Sequence, residues 1–224
     1  GDGSVHLLDD GRYAVRATAR EEGTGTLMSV DLVVTPSERV DFPGAMLVSG
    51  DFASGYAVPG LRANATGSIC VVKRCDNYEN AQSYHDHNWG GWQGVSWEWG
   101  ATRAGAYTVL YGRVTPEDSI GASAPLFVYV ADSSGFLALF RPTTISYDDA
   151  RTVNTSSGPL RVPARAMLVD VRGSDTLRLS LTIDDALATD TRRAIAERGD
   201  GTEPRALRHP WFVQMAGEAE ISGR

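Results

Sequence analysis

Tyr84-His85-Asp86-His87-Asn88-Trp89-Gly90 is the stretch on which the fold of this chain turns. With Trp92, Trp97 and Trp99 behind it, residues 84–99 hold two of the four histidines and four of the five tryptophans. Read as extended backbone, the stretch alternates between two faces. His85, His87 and Trp89 share one face; Tyr84, Asp86 and Asn88 share the other. The first face offers an imidazole pair beside an indole, and Asp86 and Asn88 can anchor the second by hydrogen bonds. Downstream, Val95, Trp97 and Trp99 line one face of the next run, with Ser96 and Glu98 opposite. On the run after that, Tyr107, Val109, Tyr111 and Arg113 fall together.

The same period of two runs through most of the chain. Tyr13, Val15, Ala17 and Ala19 alternate with Arg12, Arg16, Thr18 and Arg20. Strand-like runs recur at 27–34, 45–49, 67–73, 95–99, 107–114, 126–131, 136–140, 162–171, 177–183 and 211–221. Turn chemistry separates them, as at Asp9-Asp10-Gly11, Ser49-Gly50-Asp51, Val58-Pro59-Gly60 and Asp132-Ser133-Ser134-Gly135. Only Asp184–Glu197 reads as a helix, with Asp184 or Asp185 to cap its start and Gly199 its end. Strands so numerous and so evenly spaced predict an all-β fold, a barrel or a sandwich. A barrel of about eight strands is wide enough for side chains or one small ligand, which makes its cavity the default place for an apolar guest.

Composition narrows the classes of function. The net charge of −7 argues against a nucleic-acid surface, which needs clustered Lys and Arg. Lys73 is the one lysine, and so arginine-heavy a basic set hints at a high-GC, bacterial genome. No apolar run reaches the length of a membrane span and no signal peptide opens the chain, so the expected location is cytoplasmic. The start at Gly1-Asp2-Gly3 leaves a removed leader and secretion open. Cys70 and Cys75 lie five apart, and the expectation favours free thiols over a local disulfide closing a small loop. No Gly-x-Ser-x-Gly elbow, phosphate-binding loop or dinucleotide fingerprint occurs.

Three readings compete for the His85-x-His87 pair. A metal site needs a third ligand, yet His6 and His209 are distant in sequence and Glu98 is the one nearby carboxylate outside the motif. The bland reading is a polar network plugging the barrel, with tryptophans as core filler. The favoured reading is general acid or polar activation, in which an imidazole beside indole faces protonates an alkene or polarises a carbonyl and the indoles stabilise a transient cation.

The Tyr84–Gly90 run, followed by Trp97-Glu98-Trp99-Gly100, resembles the carotenoid 1,2-hydratase (hydroxyneurosporene synthase) and AttH group of lipocalin-like proteins. Diels–Alderase-type cyclases look built on the same scaffold. The resemblance covers residues 1–150 best; beyond them Arg208-His209-Pro210-Trp211-Phe212 is the distinctive patch. It implies a lipocalin-like antiparallel β-barrel, single or two packed together, with residues 1–150 as the motif-bearing barrel and 151–224 as a C-terminal β portion completing a second barrel or sheet. It also implies an acid–base set in which the motif's second histidine and its tryptophan become His87 and Trp89. A Tyr-x-Asp pair on a later strand is best matched by Tyr111-Gly112-Arg113, where arginine replaces the aspartate. Arg113 is no base at physiological pH, but it can clamp a carboxylate or enolate-like oxygen. A pericyclic or conjugate-addition cyclase needs no base, only a folded substrate and a donor aimed at a carbonyl.

The expectation is therefore a cofactor-free, metal-free cyclase or isomerase of an apolar polyene polyketide or terpenoid. His87, Tyr111 and Asp86 are its candidate catalytic residues, and His85, Trp89, Trp97, Trp99 and Arg113 its substrate-binding ones. A C=C hydratase, which is a lyase, and a non-catalytic carrier of an apolar ligand are the alternatives. The expected partner is an apolar small molecule, with a homodimer left open and no nucleic acid.

Overall fold

The computed structural model describes residues 2–21, 24–49, 52–90, 95–116, 124–155, 158–190 and 211–223. Among these residues every regular element is a strand, so the expected all-β fold holds, and no helix is long and apolar enough to cross a membrane. The chain clusters into two compact units. One takes residues 1–91, 106–108 and 130–137, and the other takes 92–105, 109–129 and 138–224. Residue 150, where the sequence suggested a boundary, falls inside the strand Ile145–Thr155.

The first unit is organised by one long hairpin. Strand β5 (Phe52–Val71) runs back antiparallel as β6 (Arg74–Gly90) through a turn at Val72-Lys73. On its other edge β5 pairs first with β4 (Phe42–Ser49) and then with β3 (Leu27–Pro36). Strands β2 (Tyr13–Arg20) and β1 (Asp2–Leu7) extend the sheet beyond β3, giving the order β1-β2-β3-β5-β4 with β6 against β5. Register shifts at Ala57/Gly60, Gly60/Ala63 and Ala65/Gly67 coil β5 along its length, because each extra residue adds local twist. At Gly44, in the β4 irregularity, φ is +84° and a Cβ would collide with the Tyr56 carbonyl, so only glycine fits. The result is a curled half-barrel whose concave face buries Val34, Ala63 and Ala65, with Tyr13 and Val15 packed against them.

Strands β7 (Val95–Ala104), β8 (Tyr107–Pro116), β9 (Ala124–Asp132) and β10 (Gly135–Phe140) form a four-stranded sheet in the order β10-β9-β8-β7. Leu126–Ala131 of β9 is buried without a break, the pattern of a strand covered on both faces. A second four-stranded sheet takes β11 (Ile145–Thr155), β12 (Gly158–Arg172), β13 (Asp175–Asp190) and β14 (Trp211–Gly223) in sequence order. Its buried side is built by Val162, Ala166, Leu168, Leu177 and Leu179, at even spacings along each strand as a one-sided strand requires.

Three expectations are corrected. Asp184–Asp190, the first half of the expected helix, is strand, with Asp185–Asp190 paired with Trp211–Ala216 of β14; residues 191–197 lie outside the described residues. Cross-strand pairing there supplies the hydrogen bonds a helix would have made internally. Val58-Pro59-Gly60 does not end a strand but sits inside β5 at one of its bulges, a position that tolerates a proline without an N–H. Cys70 and Cys75 are not free thiols: they form a disulfide. They are directly opposed across the β5–β6 hairpin with Cα atoms 4.0 Å apart, next to the turn pair Val71–Arg74.

Candidate functional site

The Tyr84–Gly90 stretch is extended, as its alternation required, and its two faces do different things. On the outer face the Tyr84 hydroxyl donates to Asp86 Oδ2 at 3.1 Å. Asp86 is thereby tied to its own strand. On the inner face His85 stands edge-on to Tyr13, with ring centroids 4.5 Å apart. His85 pairs with Gly60 of β5, where a Cβ would press to 2.9 Å from its own Cβ. Its Nδ1 is buried and has no hydrogen-bond partner among the described residues. Burial holds the imidazole below its ordinary value of 6.5, outweighing Asp86, which raises it, while His87 lowers it further. A buried, unpaired ring nitrogen costs free energy unless something satisfies it. His85 is thus a neutral, half-buried polar group packed against the ring of Tyr13.

One residue pair further along, His87 faces Trp89 at 5.4 Å between centroids, and both are exposed. The indole of Trp89 lies over Gly55, its direct partner on β5, and would overlap any Cβ placed there. Met46 reaches the same spot from β4. Tyr13, His85, His87 and Trp89 therefore follow one another along one face of the first unit, from a half-buried end to an exposed one.

The remaining candidates lie in the second unit. Arg113 grips Glu98 through two hydrogen bonds, Nε to Oε2 at 2.9 Å and Nη2 to Oε1 at 2.6 Å. Tyr147 donates its hydroxyl to Glu98 Oε1 at 3.3 Å. Tyr111 closes over Gly100 on this face, and burial together with the Glu98 charge pushes its phenol up to about 12. Burial and the same carboxylate also raise Tyr147. Both phenols stay protonated at any physiological pH. On the opposite face of β7–β8, Trp99 covers Gly112 and meets Phe127 edge-on at 5.8 Å, while Trp97 tilts against Phe212 at 5.9 Å.

The sequence grouped His87, Tyr111 and Arg113 as one constellation. His85, Asp86, His87 and Trp89 belong to one unit, and Trp97, Trp99, Tyr111 and Arg113 to the other. Arg113, expected to clamp a substrate oxygen, has its fork occupied by Glu98. Glu98, which the sequence placed opposite the indoles, is the hub of this network. Tyr147 was not foreseen. Tyr147-Asp148-Asp149 carries the same Tyr-x-Asp spacing sought at Tyr111, and that signal could have found it. Asp149 departs on its own: its φ is +54° and it pairs with Arg165 at 3.6 Å. Tyr13 too escaped notice, since only the sheet's curl brings it to His85. Among the described residues no three His, Cys, Asp or Glu side chains converge as a metal set; His209 lies outside them.

Comparison with known proteins bears on the fold. No family model matches the chain, and no curated protein does. A solved structure from Nitrosomonas europaea, described as a candidate AttH, superposes with a TM-score of 0.60 at 18% identity. The match covers 99% of this chain and 67% of that one. The fold is accordingly lipocalin-like and AttH-like.

Proposed function

We propose that this AttH-like chain binds an apolar, polyene-type small molecule along the Tyr13–His85–Trp89 face and promotes its cofactor-free cyclisation or isomerisation. The observation that carries this reading is His85 Nδ1, buried beside the Tyr13 ring and without a hydrogen-bond partner among the described residues. A ligand carbonyl or hydroxyl would satisfy it, while Tyr13 and Trp89 hold the hydrocarbon. Such a site accelerates by restricting conformation and by aiming one fixed dipole at developing charge.

The same geometry weighs against hydration. Protonating an alkene calls for a strong acid, and burial keeps His85 neutral. Glu98, the remaining acid–base group near the indoles of the second unit, is tied to Arg113. A non-catalytic carrier is the second reading, favoured by Arg113 already being paired, which leaves few polar groups uncommitted for chemistry. We also infer from the Cys70–Cys75 disulfide that the protein works in an oxidising compartment rather than the expected cytoplasm, since thiols there are kept reduced.

The test is turnover. Substoichiometric protein is incubated with linear polyenes bearing a conjugated carbonyl, and the loss of polyene absorbance is followed. Many turnovers, abolished by His85→Phe, are expected. Saturable binding without conversion would establish the carrier instead, and neither binding nor conversion would end both readings.

A further inference from the structure

The far end of the half-barrel, opposite in chain direction from Trp89, presents an apolar wedge. Here two turns lie side by side, tied by a hydrogen bond from the Val72 N–H to the Leu27 carbonyl at 2.8 Å. Leu27, Met28, Val71 and Val72 are 40%, 40%, 43% and 63% exposed. Met28 and Val71 are directly opposed and share one face, while Leu27 and Val72 lie one residue further out. The four aliphatic side chains therefore cap the point of the sheet and do not form a flat patch. Lys73, the chain's one lysine, and Arg74 complete the turn.

Two features show that this tip is not an arbitrary surface turn. Val72 has φ of +57°. For a β-branched residue that is a strained outlier, at a two-residue hairpin position that Gly or Asn ordinarily fills. The adjacent Cys70–Cys75 disulfide clamps the two strands and holds the turn in this form.

We propose that the tip docks on an anionic lipid bilayer, with Leu27, Met28, Val71 and Val72 entering the interface and Lys73 and Arg74 lying against the headgroups. The wedge is too small for a protein partner, since a standard interface takes about 800 Å² from each side. It suits shallow insertion, for which a few aliphatic side chains suffice. The protein's net charge of −7 opposes approach to such a surface. Screening over about 8 Å at physiological salt confines the effective field to groups near the tip, where Glu21 and Asp76 partly offset the two cations. A lipid-docked tip would give the protein access to apolar molecules dissolved in a membrane. The inference does not require the ligand reading above.

Vesicle co-sedimentation tests it, comparing phosphatidylcholine alone with an equal mixture of phosphatidylcholine and phosphatidylglycerol. The intact protein should pellet with the mixed vesicles and not with phosphatidylcholine alone. Val72→Gly removes the side chain and relieves the backbone, so it should keep the fold while weakening partition about tenfold. Lys73→Gln should weaken it about fivefold, and added salt should do the same. His85→Phe should leave partition unchanged, separating the tip from the ligand face. Absence of pelleting, or equal pelleting of intact protein and Val72→Gly, would overturn the proposal.

Discussion

The ring of Tyr13 on β2 stands 4.5 Å from the ring of His85 on β6, although β3 and β5 lie between their strands. In a flat sheet those two strands would run roughly 14 Å apart. The contact is therefore a direct measure of the curl, and it closes the floor of the proposed ligand face. Tyr13→Ala should remove that floor and cost about 2–3 kcal/mol in denaturant unfolding. Tyr13→Phe, which keeps the ring edge, should cost under about 1 kcal/mol.

His85 gives the face a pH signature. Burial lowers its pKa below 6.5 in the folded state, so below that pH the unfolded chain takes up the proton first. The neutral imidazole thus contributes stability above about 6.5 that is lost as pH falls through the folded value. Unfolding free energy should decline on acidification from pH 7 toward 5, and the decline should be shallower in His85→Phe. Equal slopes in the two proteins would contradict the buried neutral ring.

Trp89 owes its position to Gly55. A Cβ at residue 55 would overlap the indole, and Met46 Sδ would lie 2.6 Å away. Gly55→Ala should displace the ring, destabilise the unit by about 1–3 kcal/mol and shift tryptophan emission. The emission shift should vanish in a Trp89→Phe background.

In the second unit Glu98 controls two phenols. Replacing it with Gln removes the charge that helps raise Tyr111 to about 12 and Tyr147 with it. A neutral neighbour opposes phenolate less, so ultraviolet titration should show tyrosine ionisation beginning at lower pH. Arg113 would lose its charged partner, at a cost of about 1–2 kcal/mol. Unchanged titration would mean that burial alone sets Tyr111.

Much of this was legible from alternation, and its failures share a cause. Residues 84–89 read correctly because the register shifts there place the extra residues on β5 and none on β6, so His85, His87 and Trp89 share a face as counted. At residues 183–185 of β13 a bulge shifts the register. The more buried positions change from 177, 179, 181 and 183 to 186, 188 and 190, which erases the period of two. With alanines nearby and two aspartates to cap, a helix was the natural misreading. Pro59 hid the length of β5 in the same way. The pairings Tyr13–His85, Glu98–Arg113 and Glu98–Tyr147 depend on which strands meet, and no local pattern specifies that. A disulfide between residues only five apart likewise follows from the hairpin that opposes them.

The central claim is that an apolar molecule lies against Tyr13, His85 and Trp89. A fluorescence titration with a conjugated tetraene fatty acid tests it most directly, run on the intact protein, Trp89→Ala and Tyr13→Ala. Saturable one-to-one binding is expected in the intact protein, weakened about tenfold or more by each substitution while the fold persists. Failure to bind, or binding untouched by both substitutions, would contradict it.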